Sequence, residues 1–192
     1  MFTFNEIIDI LIMSVIVGFI FKDLFKKPVE NYDPLKQLQS SQSLENLKFA
    51  VLVTAPAIIL HELAHKFVAL SYGMEATFHA AYFWLGLGLV LKLMNFSFIF
   101  FVPGYVSIAC KTLYCQITPL QSALIAGAGP FMNLLLWLAS SFLLKKNMLD
   151  KKYFPILLIT SRINMFLFFF NMLPFLMFDG YKFFTGIIRA FI

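Results

Sequence analysis

Four stretches of this chain, about residues 4–24, 48–71, 119–144 and 154–178, are predominantly apolar over a length that suits a bilayer. About 20 helical residues cross the hydrocarbon core, and backbone at that depth must find its hydrogen bonds inside the protein. The four stretches therefore read as transmembrane helices. Composition agrees: 60% of the chain is hydrophobic, 13% is charged, and the mean hydropathy is +0.83. Soluble domains average about 45–50% apolar and about 25% charged. A soluble fold could not cover so much apolar surface, so the lipid bilayer is the expected partner of most of it.

The expected fold class is an all-α polytopic membrane protein with about four to six transmembrane helices. The segment 78–110 stays open. It is apolar and aromatic but broken by Lys92, Asn95, Pro103 and Gly104, which fits a further helix, a re-entrant hairpin, or strands packed on the bundle. The first span reads as a retained helix and not as a signal peptide: no basic residue precedes Lys22, and Glu6 and Asp9 stand where a positive region would be. A polar connection follows at about 25–47, with Pro28, Pro34 and a Gln/Ser-rich patch from Gln37 to Ser43. This divides the chain into 1–47, an N-terminal helix and loop, and 48–192, a membrane-embedded core. Tyr181 to Ile192 reads as a short amphipathic tail.

The net charge of +5 comes from short runs, Lys22, Lys26 and Lys27, then Lys145, Lys146, Lys151 and Lys152. Such runs flank membrane spans. They form no basic face with readout residues, so no nucleic-acid partner is expected. Both runs can lie on the cytoplasmic side only if an even number of crossings separates them. Cys110 and Cys115 do not form a CxxC pair; they read as small core residues, with a disulfide as the alternative.

The chemistry lies in His61-Glu62-Leu63-Ala64-His65. On a helix, positions i and i+4 share one face, so the two imidazoles can grip one Zn²⁺ ion. Glu62 can then reach a water bound to that ion and act as general base. Charged groups within a span cost ~2.5–3.5 kcal/mol each on the more lenient insertion scale, and a metal would supply the compensation. The competing reading is that the three side chains satisfy one another's hydrogen bonds in a bundle core.

Catalytic zinc usually takes three protein ligands and leaves one position for water. Asp179 is the best candidate for the third, as the only acid between Asp150 and the C-terminus. It is expected to end the fourth span, with Gly180 letting the backbone turn. Taken alone, Asp-Gly could equally be a helix-ending turn that faces water.

These residues resemble the site-2 protease family. His61-Glu62-x-x-His65 is similar to the HExxH that the family carries on one transmembrane helix. Asn171-Met172-Leu173-Pro174, followed by Phe175 to Phe178 and Asp179-Gly180, is similar to its N-x-x-P-x-x-x-x-D-G element. Gly127-Ala128-Gly129-Pro130-Phe131-Met132-Asn133 resembles its A-G-P-x-x-N segment, and Val102 to Val106 its Pro-Gly-rich stretch. The resemblance covers about residues 48–182. It implies that His61, His65 and Asp179 ligate one zinc ion and that Glu62 is the base. The implied reaction is hydrolysis of a peptide bond in or beside a transmembrane helix of a substrate protein, as in regulated intramembrane proteolysis. The form is the minimal, archaeal-like one without a PDZ domain, which implies a multi-pass protein of a prokaryotic cell membrane.

Asn133 and Asn171 are polar residues in apolar spans. Interhelical hydrogen bonding explains them structurally; the functional reading has one of them orient substrate backbone or the oxyanion. His79 reads as an interfacial histidine, Glu75 as a loop acid, and the run Phe166 to Phe170 as lipid-facing bulk. The alternative to a protease is a polytopic zinc-binding protein that does not cleave. An intact Glu62 argues against it, because metal binding alone does not require that acid.

Overall fold

The computed structural model describes residues 2–25, 40–96, 102–110, 116–146 and 149–192. Lys26, Lys27, Pro28, Pro34, Gln37 and Cys115 lie outside the described residues.

Helix α1 spans Phe4–Phe21. Thr3 caps it in a reciprocal box: its Oγ1 accepts from the Glu6 N–H, and the Glu6 carboxylate accepts from the Thr3 N–H. Helix α2 spans Ser40–Ser71, beginning inside the stretch expected to be loop. It ends in a Schellman motif. Gly73, at φ 75°, donates to Leu70 O, and Met74 donates to Ala69 O. The chain then enters strand β1, Glu75–Ala80, so Glu75 opens a strand and is not a loop acid. Helix α3 is Tyr82–Leu93 and strand β2 is Gly104–Ala109. Of the three readings for 78–110, the structure thus has strands packed on the bundle, with a short helix between them.

The two strands pair antiparallel, Phe78 opposite Val106 and Ala80 opposite Gly104. The Phe78 and Ala80 N–H groups donate to side chains outside the sheet, while the Ala81 N–H continues the ladder to Pro103 O. In an antiparallel pair, residues opposite one another alternate between bonded and non-bonded pairs. Gly104, Val106 and Ile108 are therefore non-bonded, and their N–H and C=O groups point out of the far edge of β2.

Helix α4 spans Pro119–Lys146, with Pro119 at its first position and Thr118 and Gln121 closing a second capping box. A short 3₁₀ turn, Lys151–Tyr153, leads into α5, Phe154–Asn171. The expected span to 178 is thus cut at Asn171. Proline disfavours helix in the residue before it and lacks a donor, and Pro174 falls in an irregular stretch, 172–178. Helix α6 then runs Asp179–Phe191. Asp179 opens a helix; it does not end one.

Among the described residues, four helices are long and apolar enough to cross a membrane: Phe4–Phe21, Ser43–Ser71, Pro119–Lys146 and Lys151–Asn171. The protein is an all-α polytopic membrane protein with a small two-stranded sheet. Two of these helices, α2 and α4, lie between the two lysine-bearing segments, an even number. The N-terminal helix is part of the same core as the rest: Met13 and Val17 pack with Phe78, Ala80 and Leu85. Gly18 makes the α1–α2 crossing close, since a Cβ there would sit 2.2 Å from Val51 Cγ2. Cys110 is disulfide-bonded and not a free core thiol.

Candidate metal centre

His61 and His65 lie one turn apart on α2, both buried, and their Nε2 atoms are 3.1 Å apart. Asp179 Oδ2 is 3.1 Å from His61 Nε2 and 3.3 Å from His65 Nε2. Residues more than a hundred positions apart therefore meet, and among the described residues they form the one group of three or more such side chains able to hold a metal ion.

Hydrogen bonds behind the rings fix which nitrogens face this point. Asn133 of α4 is fully buried, and its Nδ2 donates to Ala57 O at 3.1 Å and to Asn164 Oδ1 at 2.8 Å. A main-chain carbonyl only accepts, so the amide of Asn133 has one orientation, with Oδ1 toward His61 Nδ1 at 2.5 Å. His61 Nδ1 must then carry the proton. His65 Nδ1 likewise donates to Ile125 O at 2.7 Å. In the neutral imidazoles both Nε2 atoms are bare lone pairs, aimed at each other and at a carboxylate. Three acceptors within hydrogen-bond distance repel unless a proton or a metal ion stands among them. Tetrahedral ligands with bonds of about 2.0–2.1 Å stand about 3.3–3.4 Å apart, close to the separations seen. The donor set fits zinc.

Burial pushes the Asp179 carboxyl up, but when the imidazoles carry a second proton their hydrogen bonds and charge outweigh it and hold the group well below the usual carboxylate range. Asp179 is thus ionised at neutral pH. Its position comes from the start of α6, where a negative charge meets the positive end of the helix dipole. Gly180 serves close packing: a Cβ there would lie 2.4 Å from Met172 C and O. Its φ is not positive, which corrects the turn expected at this glycine.

Gly129 faces the rings from α4. A Cβ on it would stand 2.3 Å from His65 Nε2 and 2.6 Å from His61 Nε2, so only hydrogen leaves room for a ligand there. Next to it, Pro130 lacks an N–H and leaves the Ala126 carbonyl without its intrahelical partner. Ala126 lines the cavity described next.

That cavity, about 590 Å³, opens onto His61, Glu62, His65 and Asp179. Glu62 is buried and has no hydrogen-bond partner among the described residues, so its carboxylate is free to take a proton. Asn171 lines the same cavity while its Nδ2 donates back to Leu167 O at 3.0 Å. Asn133 sits behind His61 and does not line the cavity. Phe166 and Phe170 do line it, so part of the phenylalanine run borders the site and is not only bulk against lipid. His79 lies elsewhere, bonded to Ser107 Oγ at 3.1 Å across the sheet. Sequence reasoning missed Asn164 and the Ile125 carbonyl. Asn164, a third asparagine in an apolar span, carried a signal; a carbonyl carries none.

A His-His-Asp donor set beside a buried glutamate, set among membrane-length helices, is what a zinc metalloprotease of the membrane would use. Residues 49–149 match peptidase family M50. A Methanocaldococcus jannaschii protein named "Putative zinc metalloprotease MJ0611" is 34% identical over 181 residues, covering 94% of this chain and 84% of its own length. No solved structure matches the chain. The chain belongs to peptidase family M50, the site-2 protease family.

Proposed function

We propose that this protein hydrolyses a peptide bond in or beside a transmembrane helix of a substrate protein, with His61, His65 and Asp179 holding one zinc ion and Glu62 as general base. The observation that carries the reading is the pair of bare Nε2 atoms converging with an ionised carboxylate beside a buried glutamate that has no hydrogen-bond partner among the described residues. Zinc held there would supply Lewis acidity toward the scissile carbonyl and make a water easier to deprotonate. Glu62 accepts the proton of the attacking water and returns it to the leaving amine.

The substrate must reach the site extended, because carbonyls in an intact helix are already bonded. The far edge of β2 offers outward N–H and C=O groups at Gly104, Val106 and Ile108, and all three residues line the cavity. Strand addition at that edge would hold an extended segment against the site. Asn171 lines the cavity at a place where it can orient that segment, whereas Asn133 acts through His61. A prokaryotic cell membrane and a role in regulated intramembrane proteolysis complete the reading, supported by the family and by the archaeal relative.

The test is cleavage of a reporter transmembrane substrate by purified protein in detergent. Cleavage should require zinc, stop with a chelator, and fall by about two orders of magnitude or more in Glu62→Gln while zinc stays bound. Unchanged cleavage in Glu62→Gln would remove the glutamate from the mechanism. Zinc binding with no cleavage of any substrate would favour a non-proteolytic zinc protein.

A further inference from the structure

We propose that Glu6 and Asp9 on α1 are positioning residues for cleavage. Their carboxylates close the outer edge of β1 and so fix the register at which a substrate strand on β2 meets the metal centre. This inference rests on the proposed use of the β2 edge.

Glu6 is buried, and its two oxygens are fully used. Oε2 accepts from Thr3 N at 2.8 Å; Oε1 accepts from Phe78 N at 2.7 Å and from the Lys66 ammonium. Asp9 follows one turn later. Its Oδ2 accepts from Ala80 N at 3.1 Å, and its Oδ1 from the Tyr82 hydroxyl at 2.5 Å. Side chains three apart on a helix are about 5–6 Å apart, and alternate strand residues repeat at about 6.5 Å. Two acids at i and i+3 can therefore reach two successive outward N–H groups of one strand.

The parity of the ladder makes this consequential. The groups that Glu6 and Asp9 occupy belong to Phe78 and Ala80. Across the sheet, the pairs of those residues, Val106 and Gly104, present their own groups to the cavity. One edge is closed by carboxylates, and the other is left for a strand. An open edge invites pairing with any extended chain, so closing β1 also denies a substrate the wrong side of the sheet.

The clamp reaches the helix that carries the two histidines. Lys66 follows His65 in sequence, is buried, and pairs with Glu6. The ligand helix and the sheet are thus joined through one carboxylate. Among the described residues Asp9 has no cation partner, only the backbone donor and the tyrosine hydroxyl. An acid in a membrane helix is costly, and an ion pair does not account for this one; holding the strand edge does.

The experiment uses full-length Asp9→Ala and Asp9→Asn, leaving the buried Glu6–Lys66 pair intact. Zinc content, kcat and KM on a transmembrane substrate, and the masses of the products are measured, together with binding of the same substrate segment to the Glu62→Gln protein. In Asp9→Ala we expect full zinc content, kcat within about twofold, KM up about five- to tenfold, and new cuts two residues from the main one. Two residues is the strand slip that keeps the same face toward the site. Asp9→Asn retains an acceptor for Ala80 N and should restore the single cut. Unchanged KM with a single cut in Asp9→Ala would overturn the proposal. So would joint loss of zinc, thermal stability and activity with no rescue by Asp9→Asn. If wild type cleaves nothing while Asp9→Ala still weakens binding in the Glu62→Gln background, the positioning role stands and the hydrolytic reading falls.

Discussion

The Nδ1–H of His61 donates to Oδ1 of Asn133 at 2.5 Å, and that one bond decides which nitrogen of the histidine faces His65 and Asp179. The bond is fixed from behind. Thr160 O holds Asn164 Nδ2 at 2.8 Å, Asn164 Oδ1 holds Asn133 Nδ2, and Asn133 Oδ1 is left for the ring. A chain of amides across α5, α4 and α2 thus sets a tautomer.

Removing the acceptor should loosen the ligand. Partners of this kind typically contribute about 10–100-fold in metal affinity. Asn133→Ala is expected to weaken zinc binding by about that factor in a competitive chelator titration. An affinity equal to wild type would show that the tautomer is set by something else.

Gly129→Ala places a methyl within 2.6 Å of both Nε2 atoms, and the added atom belongs to a helix backbone that cannot swing aside. Zinc content after dialysis should fall to a small fraction of one ion per chain, while helicity by circular dichroism stays near wild type. Retention of stoichiometric zinc would mean that α4 can withdraw from the site.

Asp179→Asn keeps the shape and removes the negative charge. With two neutral imidazoles remaining, we expect zinc affinity to drop at least tenfold, about 1.4 kcal/mol, and cleavage with it. An undiminished zinc content would take Asp179 out of the ligand set.

Gly180→Ala tests how Asp179 is delivered. The methyl meets Met172 backbone atoms at 2.4 Å, a clash of the kind that costs about 1–3 kcal/mol. A lower melting temperature and weaker zinc binding should appear together, because α6 must shift and carry Asp179 with it. Lower stability with wild-type zinc affinity would separate the packing of Gly180 from the site.

The sequence alone was enough for the membrane class, because burying so much apolar surface leaves little choice of solvent. It also put the two histidines on one helix face beside Glu62, since four-residue spacing is a local property of any helix. Helix boundaries were less legible where capping and proline decided them: α2 begins in a stretch that looked like loop, and α5 stops at Asn171, short of Pro174. Asp179 could be named from the acids available, but not its place at the start of a helix.

What only the tertiary structure decided are relations between distant residues. Gly129 matters because two ring nitrogens lie where its side chain would be, and Asn133 because its amide is pinned on the side away from the cavity. Glu6, which looked like an acid near the chain start, is joined to the ligand helix through Lys66. Periodicity and composition report how each segment meets solvent or lipid. Contacts between side chains some sixty to a hundred and twenty positions apart depend on how helices pack, and no local pattern encodes that distance.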